Sequence, residues 1–263
     1  MFIVKRRIRF LAAFVFGLSI HATTVSGQVV NIENRRMQTD SVRVAGQATM
    51  LFHYTENNSQ RLLVSRNALA LQLKSRNLRD LWLVLLNADL SLANGTAFSK
   101  AAFAHLRYNR KLGSQLRWEI MGQWQYNRLL GIQTRALLGS GPRIKCVSRP
   151  GGVAYFGSIY MLEYEKTAGD LVVERFDHRM SAYFSASFDL PSWLPGELVS
   201  TTYYQPRLDQ FSDFRISHET SMELRLTAKL KATLRYSFLY DAAPPVGIRS
   251  RAQSFEQGLM LKF

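Results

Sequence analysis

Period-two alternation of apolar and polar residues runs along nearly the whole chain after its first forty positions. From 181 to 190, Ala182, Phe184, Ala186, Phe188 and Leu190 fall on one face and Ser181, Tyr183, Ser185, Ser187 and Asp189 on the other. Trp118, Ile120, Gly122, Trp124 and Tyr126 oppose Arg117, Glu119, Gln123 and Gln125, and Ala232, Leu234, Tyr236, Phe238 and Tyr240 oppose Thr233, Arg235 and Ser237. Near the start, Val42, Val44, Gly46, Ala48, Met50, Phe52 and Tyr54 alternate with Arg43, Gln47, Thr49 and His53. Successive side chains on a strand point to opposite faces, so each segment is a strand with one apolar and one polar side.

The segments fall at 41–56, 61–74, 80–93, 99–110, 116–127, 132–147, 153–166, 176–189, 197–206, 213–226, 230–241 and 252–263. The fold class expected is all-β, an antiparallel transmembrane β-barrel of about 12 strands. An even count returns both chain ends to one side. The breaks at 110–115 and 227–229 suit short turns on that side, and 166–175 and 241–251 suit longer loops on the other. The break at 189–197, with Pro191 and Pro195, is too long for the short-turn pattern. Gly139-Ser140-Gly141-Pro142 interrupts the sixth segment and marks a bulge or a close backbone approach.

Alternation is shared with soluble sandwiches and lipocalin-like barrels, in which the apolar face turns inward. Two features favour the inverted, membrane arrangement. Tyr54, Tyr108, Tyr126, Tyr164, Tyr204 and Tyr240 each lie near a segment end, where an interfacial aromatic girdle belongs. The last segment places Glu256, Gly258, Leu261 and the terminal Phe263 at the spacing of the C-terminal assembly signal of outer-membrane proteins, which the barrel-assembly machinery reads as an edge strand.

The first residues fit this reading. Lys5, Arg6, Arg7 and Arg9 precede an apolar stretch from Phe10 to Ile20, and Val25-Ser26-Gly27 suits cleavage. The organisation expected is a cleaved signal peptide at 1–27, a periplasmic N-terminal segment at 28–40 and an outer-membrane barrel at 41–263. Cleavage lowers the formal charge from +15 to +11, because four cations and no acid are lost. The remaining cations are dispersed, which suits outer-membrane lipid headgroups and ion pairs and disfavours nucleic acid. Cys146, the one cysteine, excludes an internal disulfide and reads as a buried or lipid-facing small hydrophobe.

Candidate chemistry is sparse. Arg43, His53, His105, Arg107, Arg117, Glu119, Glu163, Glu219, Glu223, Arg225 and Arg235 fall on polar faces and would line a charged lumen, either as a small channel or ligand pocket or as a salt-bridged plug. Ser217-His218-Glu219 does not form a hydroxyl–imidazole pair, because neighbours on a strand point apart. Neither catalytic nor metal-binding residues are assigned, no cofactor is expected, and a lipid-modifying enzyme is the rival class.

Several blocks resemble a family of salt-stress-induced outer-membrane proteins, a domain of unknown function, in its Bacteroidetes-type members. They include Val30-Asn31-Ile32-Glu33, His105-Leu106-Arg107-Tyr108-Asn109, Gln125-Tyr126-Asn127, Leu137 to Arg143, Tyr160 to Glu165, Val199 to Pro206, Phe211 to Ile216 and Tyr240 to Pro245. The resemblance implies a Gram-negative outer-membrane barrel and carries no catalytic residues. The roles left open are a narrow pore for an unknown solute, an envelope-stress component, a plugged structural barrel and a lipid-modifying enzyme.

Overall fold

A computed structural model describes residues 42–168, 172–227 and 230–261. The expected signal peptide, the 28–40 segment, Lys262 and Phe263 lie outside the described residues. Twelve antiparallel strands form one sheet in chain order. They are β1 (Val44–Asn57), β2 (Gln60–Lys74), β3 (Asp80–Ala93), β4 (Thr96–Lys111), β5 (Leu116–Asn127), β6 (Ile132–Arg149), β7 (Gly152–Thr167), β8 (Glu174–Asp189), β9 (Gly196–Pro206), β10 (Phe214–Arg225), β11 (Leu230–Asp241) and β12 (Arg251–Leu261). The expected strand count and the alternation of faces are those observed, with ends that differ by a few residues.

Each hairpin sets its own register. Asn58-Ser59 and Asn94-Gly95 join β1 to β2 and β3 to β4 with both central residues at positive φ, the conformation that matches the twist of two-residue hairpins. The break at 189–197 shrinks to a connection at 190–195, because the ladder extends to Asp189↔Glu197 and the Leu190 N–H donates to the Gly196 carbonyl. The β7–β8, β9–β10 and β11–β12 strand pairs are joined at the end opposite the start of β1 and the finish of β12, that is, the end opposite the termini of the sheet.

The sheet coils so that strands far apart in its order meet across the interior. Arg215 of β10 reaches Glu163 of β7, and the Tyr183 hydroxyl of β8 reaches Glu119 of β5. Among the described residues no ladder joins β1 to β12, so both edge strands keep one unpaired side.

The glycines of the sixth segment do not make a bulge. β6 runs through them in register, and its irregularities lie instead at Ile132/Thr134 and Lys145/Val147. Close approach explains them. A Cβ at Gly139 would lie 2.8 Å from the Ile159 side chain, and one at Gly141 would overlap the Ser158 carbonyl oxygen. Gly157 on β7 similarly leaves room for the Tyr183 ring. Cys146 sits beside the second irregularity and is exposed.

Candidate functional site: the charged interior

The two faces of the sheet differ in chemistry. Outward residues are apolar and open: Leu106, Ile120, Leu138, Leu162 and Phe184 are each exposed, Leu138 by 59%. Aromatic contacts run along the end opposite the termini, from Tyr164–Phe176 to Tyr204–Phe214 and Phe214–Tyr240. Trp82–Tyr108 lies near the other end. Of the six tyrosines expected in a girdle, all but Tyr108 lie at the end opposite the termini.

Inward residues are charged and buried, and they form two clusters. The first centres on Glu119, which is fully buried. Arg107 Nη1 lies 3.5 Å from it and Arg143 Nη1 3.3 Å, and the Tyr183 hydroxyl donates to it at 2.5 Å. The Arg143 guanidinium also sits 3.9 Å from the centre of the Tyr155 ring, with Arg117 at 5.3 Å.

The second cluster is larger. Arg215 donates twice to Glu163 (2.7 and 2.9 Å), once to Glu165 (2.8 Å) and once to Asp241 (2.9 Å). Arg135 and Arg175 also hold Glu165, and Arg179 joins Glu163 to Asp213. Asp177 and Asp213 bring in Arg207 from the 207–213 connection. Arginine suits these positions because its planar fork serves two or three carboxylates at once, which a lysine ammonium cannot do. Arg135, Arg175, Arg179, Arg207 and Arg215 face Glu163, Glu165, Asp177, Asp213 and Asp241, so these ten groups balance in charge, with the exposed Asp209 on Arg207 as one further acid at the rim.

The 207–213 connection titrates abnormally. A hydrogen bond from Arg207 holds the exposed Asp209 carboxyl down at about 2. Burial pushes the Asp213 carboxyl up, but the Arg179 hydrogen bond and the charges of Arg179, Arg175 and Arg215 outweigh it, so it stays below the usual range.

Between the clusters lies a cavity of about 50 Å³, bordered by Arg107, Gln125, Arg135, Glu163, Tyr203 and Arg215 among others. That is room for roughly three to five waters, at about 10–15 Å³ each. Among the described residues no group of His, Cys, Asp and Glu is arranged to hold a metal ion.

The lumen candidates divide. His105, Arg107, Glu119 and Glu163 are buried on the inner face, and Glu219 lies beside the half-buried Arg235, which also meets Glu256 of β12. Arg117 is half-buried near Tyr155. Glu223 pairs with Lys231 at the end that carries the termini. Arg43, His53 and Arg225 are exposed and stand outside both clusters. Of the C-terminal signal, Glu256 faces inward, and a Cβ on Gly258 would sit 3.2 Å from the Thr233 hydroxyl.

Residues that sequence reasoning did not single out include Arg135, Arg143, Arg175, Asp177, Arg179, Arg215 and Tyr183. Extending the alternation of 181–190 backwards would have exposed Arg175, Asp177 and Arg179 on the face of Ser181. The inner wall at β3 departs from a polar lumen altogether. Leu83, Leu85 and Phe103 form a buried apolar cluster there with Ala70 and Leu81.

His218 points outward. Its Nδ1 lies 2.8 Å from the Thr202 hydroxyl and its Nε2 3.0 Å from the Thr220 hydroxyl, with no carboxylate touching it among the described residues. Sequence-adjacent Ser217 and Glu219 lie on the opposite face.

Residues 38–263 match the family described as a protein of unknown function, DUF481. The chain belongs to that family. No curated protein matches it. Among solved structures, this DUF481 chain is similar to the NanC porin at 10% identity, with a TM-score of 0.49, covering 84% of this chain and 98% of that one. It is also similar to a bacterial polysaccharide outer membrane secretin at 9% identity, with a TM-score of 0.45, covering 84% of this chain and 91% of that one.

Proposed function

We propose that this chain is an outer-membrane barrel whose interior is a salt-bridged plug, and that its role is structural rather than that of an open pore. An apolar, aromatic-rimmed outer face around a charged inner face suits a bilayer, where polar groups must be kept off lipid. The observation that carries the plug is the network in which Arg135, Arg175, Arg179, Arg207 and Arg215 meet Glu163, Glu165, Asp177, Asp213 and Asp241 across the space between β6 and β10, beside a cavity of only about 50 Å³. A solute path there would require several mutually paired charges to move together.

The enzyme reading has less support. A nucleophile needs a base that is itself held by a third polar group, usually a carboxylate. His218 has a hydroxyl on each ring nitrogen instead. The resemblance to salt-stress-induced members supports an envelope in which a rigid, non-conducting barrel persists when ionic strength rises, because buried pairs are screened far less than exposed ones.

Planar-bilayer recording on the refolded chain tests the proposal. The expected result is no stepwise conductance from the wild type and measurable openings from an Arg215→Ala/Glu163→Ala double variant that still folds. Steady porin-sized conductance from the wild type would overturn the plug.

A further inference from the structure

Toward one mouth of the interior, cations outnumber the carboxylates that hold them among the described residues. At the end where β1 starts and β12 finishes, Lys74 ends β2, Lys111 ends β4, Arg117 is the second residue of β5 and Lys145 lies near the end of β6. All four share the inward parity of the buried Gln72, Asn109, Glu119 and Arg143. Lys111 lies directly opposite Arg117 in the β4–β5 ladder, and Arg117 lies directly opposite Arg143 in the β5–β6 ladder. Lys145 is opposite Tyr155. The charges of Arg117, Lys145 and Lys74 all act on Lys111.

Among the described residues no carboxylate pairs with Lys74, Lys111, Arg117 or Lys145. Like charges facing each other across a ladder are unfavourable. The same interior matches five arginines with five carboxylates toward its other end, so the excess of cations lies toward this mouth. Of the carboxylates at this end, Asp80 is held by Tyr108 and Arg110 on the outward face of β3, Asp189 stands on β8 opposite Glu197, Glu197 accepts from Ser187, and Glu223 pairs with Lys231. Arg143 shares Glu119 with Arg107, so two guanidiniums stand on one carboxylate and this neighbouring cluster adds positive charge to the mouth.

We propose that Lys74, Lys111, Arg117 and Lys145 form a binding site for a phosphate-bearing anion at the mouth of the barrel, on the side where β1 starts and β12 finishes. Several point-charge ammoniums and one planar guanidinium suit a multiply charged oxyanion better than a single carboxylate. Tyr155, with the guanidiniums of Arg117 and Arg143 beside its ring, steadies Arg117 in place. The site lies outside the plug and does not depend on whether the plug conducts. The phosphate has two sources, a lipid headgroup at the membrane surface or a free phosphate compound.

The test uses the full chain after export, refolded in detergent, with folding checked by the heat-dependent shift in gel mobility. Inorganic phosphate is titrated in, followed by ³¹P line broadening. In parallel, nanodiscs of mixed phosphatidylglycerol and phosphatidylcholine report which lipid stays bound. The Lys111→Gln/Arg117→Gln/Lys145→Gln variant is expected to weaken phosphate binding about tenfold or more, the scale set by losing at least one charge-assisted contact. Lys231→Gln, at the same end but paired with Glu223, is expected to change it less than about twofold. If the wild type ignores inorganic phosphate but retains phosphatidylglycerol, and the triple variant loses that retention, the proposal holds with the lipid as source. Should the triple variant fail the mobility check, Arg117→Gln alone is expected to weaken binding about threefold. Binding of neither probe by the wild type overturns the proposal, and so do equal binding by wild type and variant or an equal loss in Lys231→Gln.

Discussion

β8 and β1 alternate equally cleanly in sequence, yet they live in different surroundings. Along β8 the inward residues Asp177, Arg179, Ser181, Tyr183 and Ser185 are all buried. Along β1 nearly every residue is exposed on both faces, including Gln47, Thr49 and His53 on the inner side. β8 is hydrogen-bonded on both sides and β1 on one, so part of the difference is the open edge of β1. The rest lies in what stands opposite. Arg179 meets Asp213 and Glu163, and Tyr183 spans the interior to Glu119, whereas β1 offers small or short polar residues with nothing across from them. Alternation assigns a side to each residue; a counterpart across the interior is what buries it.

Three tests break or sharpen that contrast, and the largest effect belongs to the packed side. Arg215→Ala would leave Glu163, Glu165 and Asp241 buried near one another without their shared cation. Removing one partner of a buried ion pair costs about 3–5 kcal/mol. The midpoint of urea unfolding from vesicles should fall accordingly, while His53→Ala on β1 should move it by less than about 0.5 kcal/mol. Equal shifts from the two would refute the division.

A smaller gap is expected between two glycines. Gly157→Ala forces a methyl into the Tyr183 ring and disturbs the hydroxyl that Glu119 accepts, a cost of about 1–3 kcal/mol. Gly46→Ala on β1 places its methyl 3.5 Å from Leu71, an ordinary contact, and in a strand should be neutral or stabilising by up to about 1 kcal/mol. The same unfolding measurement separates them, and a destabilised Gly46→Ala would show that β1 is packed more tightly than its exposure indicates.

The smallest effect concerns acid. Asp209 has its pKa depressed by Arg207, so the stabilisation from that pair is fully present above the ordinary aspartate value. It fades as pH falls through about 2. Because Asp209 is exposed, Asp209→Asn should leave thermal stability near neutral pH almost unchanged. Solution NMR should still find the carboxylate ionised near pH 3, and protonation at the ordinary value would remove the pair.

Much of the fold was legible because period-two alternation is a local property and hairpin turns are short-range. The strands at 80–93, 116–127 and 230–241 emerged with the expected bounds, and Glu256 lies on the inward face that the alternation of the last strand assigned it, its place opposite Arg235 being set by the register of β11 and β12. The site was only partly legible. Glu119, Glu163, Arg107 and His105 could be placed on a polar face, but Arg215 could not be distinguished from Arg225 on the same strand face. One holds three carboxylates and the other is exposed. Gly139 and Gly141 showed in sequence that something comes close, without showing that it is the neighbouring strand's backbone and side chains rather than a bulge.

The sequence by itself determined the strands, their two chemistries and the antiparallel order, because side-chain period and turn geometry act over a few residues. Only the tertiary structure decided which inward charges meet, which mouth keeps its cations unmatched and which strand stays open on both faces. Those depend on how far the sheet coils, and so on which residues, more than forty positions apart as Glu163 and Arg215 are, arrive at hydrogen-bonding distance.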